Sequence, residues 1–420
     1  MGFQQGLSGL NAASRGLDVI GNNIANANTV GFKSSQAQFA DVYANSLLGG
    51  GSTIGIGTQV ATVAQQFSQG NVSASSNPLD VAINGSGFFR MSDNGGISFT
   101  RNGQFQIDKD GFIVNAQGLS LTGFPVDANG VIVPSSPVPL QILTGDIAPQ
   151  VTSTVDATLN LDARLAQPVT AIFDPSDPTS YNNSTSLTLF DSLGNPHLLS
   201  MFFVRTATPN QWNAFATMDG TPVVNVDLGG GAGLPAQLDF STSGIMTSAM
   251  PITASIDLNA VATDLGLVNG AASPLAFEID FRNTSQFGAN FGVNSLAQNG
   301  YSSGRLAGLA VGQDGVVQGR YSNGQSRAVG QIVLANFNNP QGLRPLGNNQ
   351  WAEASDSGPA AVGAPMTGSL GLLQPTSVEE SNVDLTAELV NMITMQRAYQ
   401  ANAQTIKTQD SVLQTLVNLR

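Results

Sequence analysis

The chain has no cysteine and a single histidine, His197, and only 10% of its 420 residues are charged. Without cysteine there is no disulfide framework, thiol nucleophile, iron–sulfur ligand set or zinc site of Cys/His type. With one imidazole, a Ser-His-Asp triad would have to use His197, which follows Asn195-Pro196 in a turn setting with no Gly-x-Ser-x-Gly around it. Long apolar runs are also missing. Stretches such as Ala307-Gly-Leu-Ala-Val311 fall far short of the ~20 residues that span a bilayer, so membrane insertion is not expected. The first residues, Met1-Gly-Phe-Gln-Gln-Gly-Leu7, lack a basic n-region and an apolar h-region, so no cleavable secretory signal is expected. Basic charge is short too. A net charge of −13 argues against nucleic acid and against anionic lipid.

What is plentiful is glycine and proline, 47 and 20 residues, and their placement is uneven. From Asp384 to Arg420 there is neither, which predicts one long helix with Asp384 as N-cap and Glu388 in its first turn. Within it Leu385, Leu389, Met392, Tyr399, Ile406, Leu413 and Val417 keep a 4-3 heptad spacing, interrupted by Gln396 and Asp410. Phe3, Leu7, Leu10, Leu17 and Ile24 keep the same spacing at the other end, in a helix expected to stop around residues 26–31. Gly6, Gly9, Gly16 and Gly21 weaken that helix, so it needs a packing partner, and the other terminal helix is the obvious one.

Between the ends the chain reads as short β runs, such as Leu79-Asp-Val-Ala-Ile83 and Gly87-Phe-Phe-Arg-Met91. Turn signals separate them, at Asn84-Gly85, Asn94-Gly95, Asn102-Gly103, Asp110-Gly111 and Asn129-Gly130. Residues 149–294 differ in composition, with twelve acidic residues against three arginines, so −9 of the −13 lies there. This segment reads as an inserted acidic β domain whose Asp191-Ser-Leu-Gly-Asn195 marks a hairpin. The fold class is therefore mainly β with α-helical termini: long terminal helices pair as a coiled coil, with nested antiparallel β domains between them. Chemistry finds no foothold. Asp108-Lys-Asp110-Gly111 and Asp174-Pro-Ser-Asp177 lack the spacing of a calcium loop. Gly85-Ser-Gly87 and Gly49-Gly-Gly51 are neither a P-loop nor a dinucleotide fingerprint. No catalytic residue, metal or cofactor is expected, and the protein is not expected to be an enzyme.

Three segments carry a resemblance. Gly21-Asn-Asn-Ile-Ala-Asn-Ala-Asn-Thr-Val-Gly-Phe-Lys33 resembles the Asn-Thr-x-Gly-Phe-Lys signature of bacterial flagellar rod and hook proteins, carried here by Asn28, Thr29, Gly31, Phe32 and Lys33. Asn77-Pro-Leu-Asp-Val-Ala-Ile-Asn-Gly-Ser-Gly-Phe-Phe89 resembles the start of their first β domain. Ser381-Asn-Val-Asp-Leu-Thr-Ala-Glu-Leu-Val390 and the residues to Arg420 resemble their C-terminal helix. The inserted domain, with Leu187-Thr-Leu-Phe-Asp-Ser-Leu-Gly-Asn-Pro-His197, is similar to that of the hook branch of the family; distal rod proteins, the alternative, lack it.

The resemblance implies a subunit of a hollow, flexible joint that passes motor torque to the filament. It implies four parts: residues 1–32 with 380–420 as the inner helical tube, 33–75 with 366–379 as connecting segments, 76–148 with 295–365 as the first β domain, and 149–294 as the outer one. The partners implied are other copies of the chain, the distal rod, hook cap and hook–filament junction proteins, and the type III export apparatus, which would deliver the subunit outside the cell. Phe3 and Leu7 resemble a short apolar export motif and equally fit the helical seam.

Overall fold

The computed structural model describes residues 2–42, 55, 57–93, 95–127, 130–142, 145–221, 225–231, 233–265 and 270–418. The chain divides into two compact units, one formed by residues 1–144, 307–320 and 326–420, the other by residues 145–306 and 321–325. Among the described residues the α-helices are α1 (Gly2–Ala25), α2 (Leu258–Leu265) and α3 (Leu385–Asn418), and the remaining regular structure is mostly strand, joined by turns and loops.

In the first unit α3 begins where its cap residue places it. The Asp384 carboxylate accepts hydrogen bonds from the Thr386 and Ala387 amides at 2.9 and 3.2 Å, satisfying donors that a helix start leaves unpaired. α1 runs antiparallel to α3, with Gly6 beside Ile406 near one end of the contact and Gly16 beside Met395 further along. A hairpin of Ser35–Val42 and Gly57–Gln65 follows α1, held to it where the Gln5 amide donates to the Gly55 carbonyl. The main sheet is built on the path Leu306–Val311, Val316–Tyr321, Ser326–Ile332, Ser120–Pro125, Phe88–Asp93, Gly96–Thr100, Gln350–Ala352 and Arg344–Gly347. Sequence-distant segments interleave in it, as the nesting of N- and C-terminal halves requires. An aromatic core of Phe88, Phe99, Phe337 and Trp351 packs with Phe67, rings meeting edge to face at 4.8–5.9 Å. The turn at Asn84-Gly85 is present, with Gly85 at φ +109. Asn94, Asn129 and residues 49–51 lie outside the described residues.

The second unit is a sandwich. A four-stranded antiparallel sheet (Asn183–Phe190, Pro196–Arg205, Gln211–Met218, Ala236–Asp239) shares one core with a five-stranded sheet (Val226–Asp227, Ile252–Ile256, Leu275–Asp280, Thr154–Asn160, Gly292–Gln298). Alternate residues point inward, as a strand with one buried face demands: Leu199, Met201 and Phe203 on one strand, Trp212, Ala214 and Ala216 on the next. The expected hairpin at residues 191–195 closes the pair in which Phe190 faces Pro196, with Gly194 at φ +83.

Two features depart from the expected antiparallel β insert. Thr154–Asn160 pairs in parallel with Leu275–Asp280, and α2 interrupts the strands. Asp257 starts α2 by accepting the Asn259 amide at 3.0 Å, and Leu258 and Val261 turn into the core.

Candidate functional site: the junction of the chain ends

The motif that follows α1 ends in Lys33, one of only three lysines in the chain, and its ammonium is completely buried. Such a charge is tolerated only when paired and hydrogen-bonded. Lys33 Nζ lies 2.7 Å from Glu379 Oε1, also fully buried, and donates to the Ser68 carbonyl at 2.7 Å. Arg101 reaches the other carboxylate oxygen at 3.3 Å, donates to the Gly85 carbonyl at 2.9 Å and covers the Phe88 ring. The Gly70 amide completes the Glu379 shell at 3.0 Å. Burial pushes the Lys33 ammonium below its ordinary range while the Glu379 carboxylate opposes that displacement. Burial also lowers Arg101, again against Glu379.

One carboxylate thus ties four stretches of chain that are remote in sequence. Gly31 is part of the same closure. Its amide donates to the Glu379 carbonyl at 2.8 Å, its φ is +72, and a Cβ there would lie 2.6 Å from the Asn102 nitrogen. Only glycine fits both demands. Thr29 caps the bend, its amide and hydroxyl both bonded to Asn26. Phe32 is half-buried and Asn28 is exposed. Asn382 bridges the Ser34 amide to the Gln66 and Ser68 carbonyls at 2.7 and 3.2 Å. Asn23, buried on α1, donates to Glu388 of α3 at 3.0 Å and exchanges bonds with the Ser35 backbone. The motif therefore clamps the two ends of the chain together. Sequence reading found Lys33 but not Glu379, Arg101, Asn23 or Asn382; the scarcity of charge was the one available hint to the ion pairs.

The helices meet on a different stripe from the one that apolar spacing selects. On α1 the face turned inward is Gly6, Gly9, Ala13, Gly16, Ile20 and Asn23, about one residue round from Phe3, Leu7, Leu10, Leu17 and Ile24. Small residues win because they let α3 approach. A Cβ on Gly9 would lie 2.7 Å from the Asn402 side chain, and one on Gly16 3.1 Å from the Met395 methyl. Among the expected seam residues, Met392 and Ile406 are half-buried in this contact region, and Leu10, Leu17 and Ile24 are half-buried on α1. Phe3, Leu7, Leu385, Leu389, Tyr399 and Leu413 remain 38–54% exposed. The side chain of Val417 lies outside the described residues.

His197, expected at a turn, lies instead in the strand Pro196–Arg205 just after the 191–195 turn, between Asp219 at 2.7 Å and Asp191 at 3.4 Å. Among the described residues no group of three metal-ligating side chains is placed to hold an ion. No helix among them is long and apolar enough to cross a membrane.

A flagellar axial protein is the class to which this arrangement corresponds, a β protein whose first and last helices are clamped together at the Asn-Thr-x-Gly-Phe-Lys motif. Residues 3–33 match the family described as Flagella basal body rod protein, and residues 374–419 that described as Flagellar basal body rod FlgEFG protein C-terminal. Residues 82–158 match the Flagellar hook protein FlgE/F/G D1 domain, and residues 160–301 the Flagellar basal body protein FlaE D2 domain. The flagellar hook protein FlgE of Escherichia coli K12 is 43% identical over 426 residues, covering 100% of both chains. That of Salmonella typhimurium LT2 is 41% identical over the same span and coverage, and that of Treponema pallidum is 33% identical, covering 99% of this chain and 98% of its own. The crystal structure of Helicobacter pylori flagellar hook protein FlgE2 shares the fold over 73% of this chain and 100% of its own, with a TM-score of 0.52 at 15% identity. The chain belongs to the flagellar hook protein FlgE family.

Proposed function

We propose that the chain is a structural subunit that polymerises into the bacterial flagellar hook, a flexible hollow joint that carries motor torque to the filament. The observation that carries this reading is the clamp. Glu379 with Lys33 and Arg101 holds both chain ends to a rigid β unit, while an apolar strip of Leu385, Leu389, Val390 and Ile393 stays open along α3. A polymer of such subunits transmits load through paired helices and flexes between β blocks whose few charges make contacts polar and exchangeable. The proposed division is the one stated above: helical tube, connecting segments, first β domain and acidic outer domain. A distal rod subunit is not favoured, since residues 160–301 match a D2 domain and the full-length relatives are hook proteins.

In this reading the partners are further copies of the chain, then the distal rod, hook cap and hook–filament junction proteins. Passage through the type III export apparatus would use the exposed Phe3 and Leu7 in the first turns of α1. Deleting the gene and imaging basal bodies tests the proposal. Complete rods without hooks are expected, restored to hooks by expressing the chain. Rods that stop short would instead assign it to the rod.

A further inference from the structure

Away from the clamp, titratable side chains also converge in the second unit around His197, the only histidine of the chain. His197 opens the strand Pro196–Arg205, and each of its ring nitrogens faces a carboxylate: Nδ1 is 2.7 Å from Asp219 Oδ2, and Nε2 is 3.4 Å from Asp191 Oδ2. The two acids belong to different turns. Asp191 is fully buried and organises residues 191–195, its Oδ1 accepting the Leu193 and Asn195 amides at 2.8 Å. Asp219, in the left-handed region at φ +55, closes the end of Gln211–Met218, accepting the Leu198 amide at 2.7 Å. The ring bridges these two turns.

The 191–195 turn is itself packed on the segments by which this unit begins and ends. A Cβ at Gly194 would lie 2.7 Å from Pro149 and 3.2 Å from Ser302. Those segments pair with each other, Ile147 with Gly304 and Gln150 with Tyr301, and the Thr152 amide donates to the Phe190 carbonyl just before the turn. The charged groups that face the ring are Asp191 from one turn and Asp219 from the other, while the packed segments offer the uncharged Pro149 and Ser302. The pair Arg305–Asp146 lies next to the Ile147–Gly304 bridge with both side chains exposed.

We propose that His197 is a proton-dependent latch that, as an imidazolium, ties the two turns together and so stiffens the paired segments at the base of the second unit. The reason lies in donor counting. A neutral imidazole donates from one nitrogen and presents a lone pair at the other. Bonded through Nδ1 to Asp219, it would turn that lone pair on the Asp191 carboxylate. The protonated ring donates to both.

The Asp219 hydrogen bond raises the imidazole above its ordinary value of 6.5, against the burial that lowers it. Burial raises both carboxylates, but their hydrogen bonds outweigh it and leave each below its ordinary value, so both stay ionised while the ring titrates. A group raised on folding contributes stability that is complete below 6.5 and is lost as pH climbs through the raised value.

With one histidine in the chain, its resonance in the full-length monomer is unambiguous. The imidazole is expected to titrate above 6.5 in wild type and to fall back toward 6.5 in Asp219→Asn. Hydrogen-exchange protection factors at residues 147–150, 193–195 and 219–221 should drop across that titration, by about tenfold for each unit by which the imidazole exceeds its ordinary value. In His197→Gln they should be low and independent of pH. An imidazole that titrates at or below 6.5 in wild type overturns the latch. So does protection in these segments that is unchanged across the titration. The wild-type titration decides the matter even where a variant folds poorly.

Discussion

Replacing Glu379 with glutamine would leave Lys33 and Arg101 buried with no anion, whereas replacing Lys33 with methionine leaves Glu379 still paired to Arg101. Breaking a buried pair by removing one partner costs about 3–5 kcal/mol, because the surviving charge is stranded. Denaturant unfolding should therefore show Glu379→Gln at or above that range and Lys33→Met clearly below it; equal losses would mean that Arg101 contributes nothing. Gly31→Ala carries a separate penalty. Its φ of +72 and the 2.6 Å approach to Asn102 predict a loss of at least about 1–3 kcal/mol in the same assay. At this scale the motif was legible and its purpose was not. Lys33 stands 346 positions from Glu379, and Arg101 stands 278, so no local pattern links them. Gly31 announced itself as a helix stop, yet the demand for glycine comes from Asn102, which only the folded chain brings near.

The helices show what spacing reveals and what it hides. The existence and capped start of α3 followed from breaker-free sequence and from Asp384, the existence and end of α1 from its 4-3 apolar spacing and the stop residues after it. The contact face did not, because a search for large apolar residues passes over glycine and alanine, and close helix approach selects these. Two kinds of glycine in α1 can now be separated. Gly21 has nothing within 4 Å of a built Cβ, so Gly21→Ala should gain helix propensity, raising stability by about 0.5–1 kcal/mol and increasing the helical circular-dichroism signal. A Cβ on Gly9 or Gly16 would lie 2.7 Å from Asn402 or 3.1 Å from Met395, so leucine at either should push α3 away and lower the helical signal despite its better propensity. If Gly16→Leu proved as helical and as stable as wild type, the small-residue seam would be the wrong account. In the second unit, α2 and the parallel pair escaped the sequence for a related reason. Both are set by long-range burial rather than by a local period.

Over the whole molecule, the apolar side chains left outside the α1–α3 contact become the argument for assembly. The clamp at Glu379 precedes α3, and among the described residues the β cores do not draw on that helix. Deleting residues 384–420 should therefore leave a folded β protein in which α1 has lost its partner, soluble and unable to form tubes. Tubes from that truncation would remove the helices from the polymer contact. A finer test leaves the fold intact. Leu389 is 50% exposed and Leu385 43% exposed, on a helix whose inward face is Met392, Met395, Asn402 and Ile406. Neither leucine anchors the monomer, so Leu389→Asn should leave its unfolding midpoint nearly unchanged. In a polymer that covers this strip, the lost burial amounts to about 1 kcal/mol per subunit at roughly 25 cal/mol per Å². That raises the concentration needed for polymerisation about fivefold, since 1.4 kcal/mol corresponds to about tenfold. Leu385→Asn should act in the same direction, and the double variant should approach the product of the two if the side chains bury independently. Sedimentation of polymer from monomer across a concentration series measures it. A critical concentration that does not move, with the monomer still folded, would mean that the strip faces an open channel rather than another subunit.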